Sequence, residues 1–152
     1  MPYIIPRTDP RKITSDDLKK NKVLALDISG SVSKYLSEHK GQALSIGHIM
    51  SFTQAAWKLA PEKANDVDLI FACCKTPDKN RQVIGVFVFG RKDENGKPLD
   101  VFFQSPLDEE GRMVFLAQLA EEETWNRYVG LMLGPVKHGE ANPVRYYESS
   151  NI

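Results

Sequence analysis

This chain of 152 residues contains little cysteine and has no excess of positive or negative charge. The only two cysteines, Cys73 and Cys74, are adjacent, so they cannot build a disulfide framework, and no CxxC motif exists. Lys plus Arg and Asp plus Glu number 20 each. The resulting net charge of zero disfavours general nucleic-acid binding, which rests on excess cationic charge. Neutrality also gives little colloidal repulsion, so self-association as a homo-oligomer is an open prediction.

Long apolar runs are missing as well. No run approaches the roughly 18–20 residues needed to span a bilayer, and residues 1–7 lack the pattern of a signal peptide. We therefore expect a cytoplasmic protein without a membrane partner, in which both cysteines are reduced core thiols.

Catalytic and cofactor motifs are equally scarce. His39, His48 and His138 show no metal-ligand spacing, and the sequence has no HExxH, Walker A or GxGxxG motif. A GxSxG elbow is also missing. These absences nominate no catalytic residue and favour a non-enzymatic protein without a cofactor.

The strongest positive pattern spans about residues 66–104. Three short apolar runs are separated there by two turn-rich polar segments, and the first run places Val67, Leu69, Phe71 and Cys73 at alternate positions. Residues 83–89 are apolar on both faces, as in a middle strand. Asn95-Gly96 is a strong signal for a type I′ hairpin before the third run. The sequence thus predicts a three-stranded antiparallel meander.

Two main helices are expected to pack on this meander. Ser51 caps the first, and Pro61 ends it. Asp108 caps the second, which carries an apolar stripe typical of a core-facing helix. That stripe consists of Met113, Leu116, Ala117 and Ala120.

The remaining elements complete an α+β fold. Thr14 caps a short helix, and residues 22–29 form an apolar run typical of a buried central strand. Residues 128–133 are predicted as the last strand, followed by a loop-like 136–152. We predict one domain over residues 14–152, preceded by an extended basic arm over residues 1–13.

One short segment at the end of the apolar run matches a functional pattern. Asp27-Ile28-Ser29-Gly30-Ser31 resembles the first element of the metal-ion-dependent adhesion site of von Willebrand A-type domains. The resemblance covers these five residues only and implies Mg²⁺ bound by Asp27, Ser29 and Ser31, since hard cations prefer oxygen ligands. The alternative is a strand-to-helix turn in which Gly30 bends the chain and Ser31 caps the helix.

Two further surfaces are candidates for partners. Glu121, Glu122 and Glu123 fall at the end of the second predicted helix, where acids oppose the helix dipole. With Trp125 as an aromatic anchor, they form a predicted protein-binding patch. The basic arm offers Arg7, Arg11 and Lys12 to nucleic acid.

We therefore predict a small non-enzymatic interaction module, an adaptor, inhibitor or regulator that binds another protein. The first alternative is a divalent-metal-dependent binding module built on Asp27, Ser29 and Ser31. The second is a nucleic-acid-binding or nucleic-acid-processing protein.

Overall fold

The computed structural model describes residues 11–54, 57, 61–64, 66–90, 94–95, 103–104, 113–135 and 143–149. Its helices are α1 (Ser15–Leu18), α2 (Ser29–Glu38), α3 (Ile46–Gln54), α4 (Pro61–Ala64) and α5 (Glu122–Tyr128). Its strands are β1 (Val23–Asp27), β2 (Leu69–Lys75), β3 (Asn80–Phe89), β4 (Phe103–Gln104), β5 (Met113–Val114), β6 (Ala117–Leu119), β7 (Met132–Pro135) and β8 (Val144–Tyr147). In these ranges no helix is long and apolar enough to cross a membrane.

A mixed six-stranded sheet organises the fold. The strand order is β6-β3-β2-β1-β8, and β7 also pairs with β3. β6 pairs with residues 87–89 of β3 and β7 with residues 80–82, so the two share one edge of that long strand. β1 and β2 are parallel, whereas the other pairs are antiparallel. The predicted α+β class therefore holds for the described chain.

The central strand and the first hairpin are confirmed. β1 lies between β2 and β8, and its first four residues are buried, as the continuous apolar run predicts. β2 and β3 pair antiparallel from Ile70 opposite Phe87 to Lys75 opposite Arg81.

The third strand of the meander is not confirmed. Residues 96–102 lie outside the described residues, and β4 pairs with β5 in a separate two-stranded sheet. The predicted packing of two main helices on three meander strands is therefore not confirmed either.

The helix predicted from Asp108 is wrong over residues 113–120, where β5 and β6 form instead; residues 108–112 lie outside the described ranges. Apolar residues also recur there with a period of two, since Phe115, Ala117 and Leu119 alternate with Leu116 and Gln118. Residues 117–119 form a strand and not a helix because they pair with the edge of β3, where Ala117 lies opposite Phe89 and Leu119 opposite Phe87.

The C-terminal predictions also need correction. Residues 128–131 were expected in a strand, but α5 continues through Tyr128 and β7 begins at Met132. Part of the expected loop 136–152 is a strand, since residues 144–147 form β8 beside β1. Without β8, the backbone groups along one edge of the buried β1 would lack partners.

The first main helix begins earlier than predicted. α3 starts at Ile46, so Ser51 lies inside it, and Pro61 begins α4. This placement follows a proline preference for the first helical position. Residues 55–56 and 58–60, where the predicted helix would end, lie outside the described ranges.

The short helix after Thr14 is confirmed, and it anchors the segment before it. The Thr14 hydroxyl accepts from the Asp17 N–H, and the Asp17 carboxylate accepts from the Thr14 N–H at 2.7 Å, completing a capping box. Ile13 is buried, and its N–H donates to the Met132 carbonyl at 2.7 Å. The predicted arm thus includes a paired stretch at residues 11–13; residues 1–10 lie outside the described ranges.

Gly85 permits close packing between β3 and α3. A Cβ built there would lie 2.9 Å from Phe87 Cε2 and 3.1 Å from Ile49 Cγ2. We predict that Gly85→Ala lowers the free energy of unfolding by about 1–3 kcal/mol, because the core must shift to accept the methyl group. Urea denaturation measures this change.

Gly30→Ala is the matched control, since a Cβ at this helical position meets nothing within 4 Å. It should leave stability unchanged or raise it by about 0.4–1 kcal/mol. Equal effects of the two substitutions would contradict the packing account.

Candidate functional site

A buried ion pair lies at the carboxyl end of β1. Asp27 ends β1, and its Oδ2 lies 3.1 Å from Nε of Arg81 on β3. Their side chains are 5 % and 4 % exposed. Because β2 separates β1 from β3, this ion pair spans the middle strand and joins two strands that are not neighbours.

Ser29 extends the ion pair into a network. Its backbone N–H donates to Asp27 Oδ1 at 2.9 Å, and its hydroxyl donates to the same oxygen. The hydroxyl oxygen also accepts the Lys75 N–H at 2.8 Å. One serine therefore ties together the end of β1, the start of α2 and the end of β2.

The network bears on the predicted metal ligands. The structure brings Asp27 and Ser29 together, but each Asp27 oxygen already has a partner, Ser29 or Arg81. Ser31 is exposed on α2. In the described ranges, no group of three or more His, Cys, Asp or Glu side chains could hold a metal ion. A cation here would have to compete with the buried guanidinium of Arg81.

The two cysteines lie next to this network. Cys73 pairs with Asp27 in the parallel register, is buried, and points its thiol at the Leu26 carbonyl, 3.4 Å away. Burial, followed by the negative charge of Asp27, raises the pKa of the Cys73 thiol. The same two causes raise the pKa of half-buried Cys74 to about 11. Both free thiols therefore stay protonated at neutral pH, which makes them poor nucleophiles.

The fold buries Trp125 of the predicted patch and leaves its three glutamates exposed. Trp125 is 1 % exposed and meets Phe87 edge to face, with ring centroids 5.8 Å apart. It is a core residue, so it offers no surface anchor to a partner.

The three glutamates of that patch are exposed and begin α5, with Glu121 as its N-cap. Acids near a helix N-terminus stabilise the helix, so the predicted conflict with the dipole came from the wrong helix boundary. Whether Glu121, Glu122 and Glu123 bind a partner stays a prediction.

Of the basic residues of the predicted arm, Arg11 forms an ion pair within the fold and Lys12 is exposed. Arg11 forms two hydrogen bonds of 2.7 Å with the Asp17 carboxylate, and this contact is the main reason why the pKa of Asp17 lies far below its ordinary value. Lys12 is exposed beside the Met132 strand. Arg7 lies outside the described residues.

A shallow groove of about 270 Å³ borders α1. Lys19, Lys20, Lys22 and Glu148 are among its lining residues. Lys22 contacts two acidic side chains. Its ammonium lies 2.8 Å from the Asp66 carboxylate, and its backbone N–H donates to the Asp68 carboxylate at 2.9 Å. One of the three lysines that line this groove is therefore paired with acids.

The sequence analysis missed a cluster of rings between α2 and α3, which we call the aromatic corner: Tyr35, His39, His48 and Phe52. The Tyr35 ring lies between two imidazoles, 4.5 Å from His39 and 4.4 Å from His48. Phe52 lies 6.2 Å from Tyr35 and 6.3 Å from His48. Residues 35 and 39, like 48 and 52, have the i,i+4 spacing that places side chains together on a helix. This spacing of aromatic residues is the feature of the sequence from which the cluster could have been predicted.

The aromatic corner is open to solvent. His39 is exposed, and the other three rings are half-buried. Leu36, on the next position of α2, is 46 % exposed, one of two large apolar side chains in the described ranges with that degree of exposure. The other is Leu116, which follows β5.

Comparison with protein-family models, curated proteins and solved structures finds no match for this chain.

Removing one member of the buried ion pair should be costly. We predict that Arg81→Met or Asp27→Asn lowers the free energy of unfolding by about 3–5 kcal/mol, because each removes one charge of a buried ion pair and leaves the opposite charge in the interior. Chemical denaturation measures both variants.

The double variant Asp27→Asn with Arg81→Met completes the cycle. It removes both charges and keeps an amide oxygen for Ser29, so it should regain most of the lost stability. Strictly additive losses in the double variant would show that the two side chains are not coupled.

Proposed function

We propose that this protein is a non-enzymatic interaction module, an adaptor, inhibitor or regulator, that binds another protein through the aromatic corner and Leu36. The observation that carries this proposal is a half-buried tyrosine ring 4.5 Å from one imidazole and 4.4 Å from another, on a helix that also carries an exposed leucine. Aromatic side chains are enriched in protein interfaces and supply much of the binding energy.

The geometry of the corner suits this role. Tyr35 packs against two imidazoles, at 4.5 and 4.4 Å, so little rotamer freedom is left to lose when a partner binds. Its half-buried ring lies beside polar imidazole edges, a mixture of apolar centre and polar rim that is typical of interfaces. Two helices hold the rings, and helices position side chains more firmly than loops do.

The two alternatives find less support in the described residues. For a metal-dependent module, Arg81 already neutralises Asp27 in the interior. For a nucleic-acid-binding protein, Arg11 is paired with Asp17 and Lys22 with Asp66. Both remain distinguishable outcomes of the same experiment.

Affinity capture from native cell extract with variants of matched chemistry tests the proposal. Leu36→Asp places a charge on α2 three positions before His39 of the aromatic corner, and Leu116→Asp places the same charge on an equally exposed leucine elsewhere. We expect a stoichiometric protein partner that wild type and Leu116→Asp retain, with about tenfold weaker capture by Leu36→Asp. The partner should survive EDTA.

Thermal melts of both variants should match wild type closely, because exposed substitutions rarely change stability by more than about 0.5 kcal/mol. Equal capture by Leu36→Asp and wild type would contradict the proposed surface. Loss of the partner in EDTA would favour the metal-dependent module, and recovery of nucleic acid alone would favour the second alternative.

A further inference from the structure

The turn that ends α1 holds a lysine in a backbone conformation that favours glycine. The Leu18 carbonyl accepts the Asn21 N–H at 3.0 Å, which closes a four-residue turn. Lys19, its second residue, has φ 56° and ψ −120°, the values of the first central position of a type II′ turn. Glycine predominates at that position because a Cβ is disfavoured at positive φ. Lys19 therefore carries backbone strain that glycine would relieve.

Contacts with distant parts of the chain hold this turn in place. The hydroxyl of Ser149, which follows β8, donates to the Lys19 carbonyl. The Asn21 amide donates to the Tyr128 hydroxyl at 3.4 Å, and that hydroxyl donates to the Asp17 carbonyl at 2.7 Å. Strained residues persist where their surroundings fix them, and they are concentrated at functional sites. The presence of lysine at this position therefore calls for a reason other than stability.

The groove beside α1 gives such a reason, because Lys19 and Lys20 both line it. Both are exposed, and neither forms an ion pair with a residue that the structure describes. The Lys20 N–H likewise donates to no group in the described ranges. Lys22, by contrast, is paired with Asp66 at 2.8 Å. Within the described chain, two ammonium groups and one backbone N–H are thus available to an anion.

A phosphate group matches these donors in charge and in size. A phosphomonoester carries about −1.5 to −2 charges at neutral pH and offers three strong acceptor oxygens. Lysine binds phosphate well because its ammonium is a compact point charge with three rotatable donors. The groove is shallow, and its volume of about 270 Å³ lies below that of typical pockets that enclose a whole ligand. It therefore suits one anionic group that enters from outside.

The acids beside Lys22 limit the site to a single phosphate. Asp66 lies against the Lys22 ammonium, and the Asp68 carboxylate accepts the Lys22 N–H at 2.9 Å. Glu148 also lines the groove. A row of phosphates along the groove would meet these carboxylates, which would repel it. The charges therefore favour one phosphomonoester over a nucleic-acid strand.

We propose that the groove beside α1 binds a phosphomonoester group through the Lys19 and Lys20 ammonium groups and the Lys20 N–H. The phosphate belongs either to a phosphorylated side chain or to a small phosphate compound, and the recognised chemistry is the same. This site precedes β1, whereas α2 and the aromatic corner follow the opposite end of that strand. The proposal goes beyond the proposed protein-binding function and does not depend on it.

An NMR titration with inorganic phosphate, at about pH 7.5 and constant ionic strength, tests the site. We expect a saturable shift of the Lys20 amide signal that potassium chloride does not produce. Lys20→Gln should bind phosphate about tenfold more weakly, because a charged hydrogen bond is lost. Lys34→Gln is the matched control and should bind like wild type, since Lys34 is an exposed lysine on α2.

Lys19→Gly separates backbone strain from ligand binding. Glycine accepts the positive φ, so we expect the melting temperature to rise by roughly 2–4 °C while phosphate binds about tenfold more weakly. Weaker binding by a more stable variant cannot result from unfolding. Wild-type affinity in Lys19→Gly would overturn the proposal. The absence of a saturable shift in wild type would also overturn it, and this result needs no variant to fold.

Two further probes identify the source of the phosphate. A phosphoserine peptide that binds at least about tenfold more tightly than inorganic phosphate, and only when phosphorylated, assigns the site to phosphorylated proteins. Equal affinities assign it to a small phosphate compound. A short oligothymidylate that binds more tightly than both would overturn the single-phosphate site. The capture experiment with Leu36→Asp is independent of all these results, so the two proposals fail separately.

Discussion

The ion pair between Asp27 and Arg81 is the interaction on which the centre of this fold depends. It crosses over β2 and links β1 to β3, and through Ser29 it also fixes where α2 begins. Two charges removed from water are tolerated only when each is paired and hydrogen-bonded. Here Oδ1 accepts two hydrogen bonds from Ser29 and Oδ2 accepts one from Arg81, so both carboxylate oxygens have partners within the protein.

The ion pair and its hydrogen bonds to Ser29 also determine where the aromatic corner lies. Ser29 starts α2, and Tyr35 lies less than two turns further along the same helix. α3 packs against β3 through the gap left by Gly85, which brings His48 and Phe52 to the Tyr35 ring. Interior polar chemistry thus fixes the direction of α2, and the rings at the α2–α3 contact form the exposed surface that we assign to a partner.

Local signals in the sequence predicted local structure well. The hydroxyl cap at Thr14 and the apolar runs of β1 and β2 each specify an element through residues that are close together in the chain. β6 and β8 were missed because the strand partners β3 and β1, distant in sequence, decide their conformation. The unfavourable placement of three acids in a predicted helix was itself a sign that the boundary of that helix was wrong.

The candidate site was predictable only in part. Asp27 and Ser29 stand out as an acid and a hydroxyl at the end of an apolar strand, but the partner that decides their role, Arg81, lies 54 residues away. No spacing rule connects those positions, since the register of β2 and β3 and a bulge between them set the contact. The aromatic corner likewise depends on how α2 meets α3.

Hydrogen exchange at the Lys75 amide tests the central claim most directly. Lys75 is exposed, yet its N–H is held by Ser29 Oγ, which is itself fixed by Asp27 and Arg81. We expect this amide to exchange as slowly as the buried amides of β2, because it opens only when the network opens. Exchange as fast as in the turn at residues 76–79, with the rest of β2 still protected, would contradict the account.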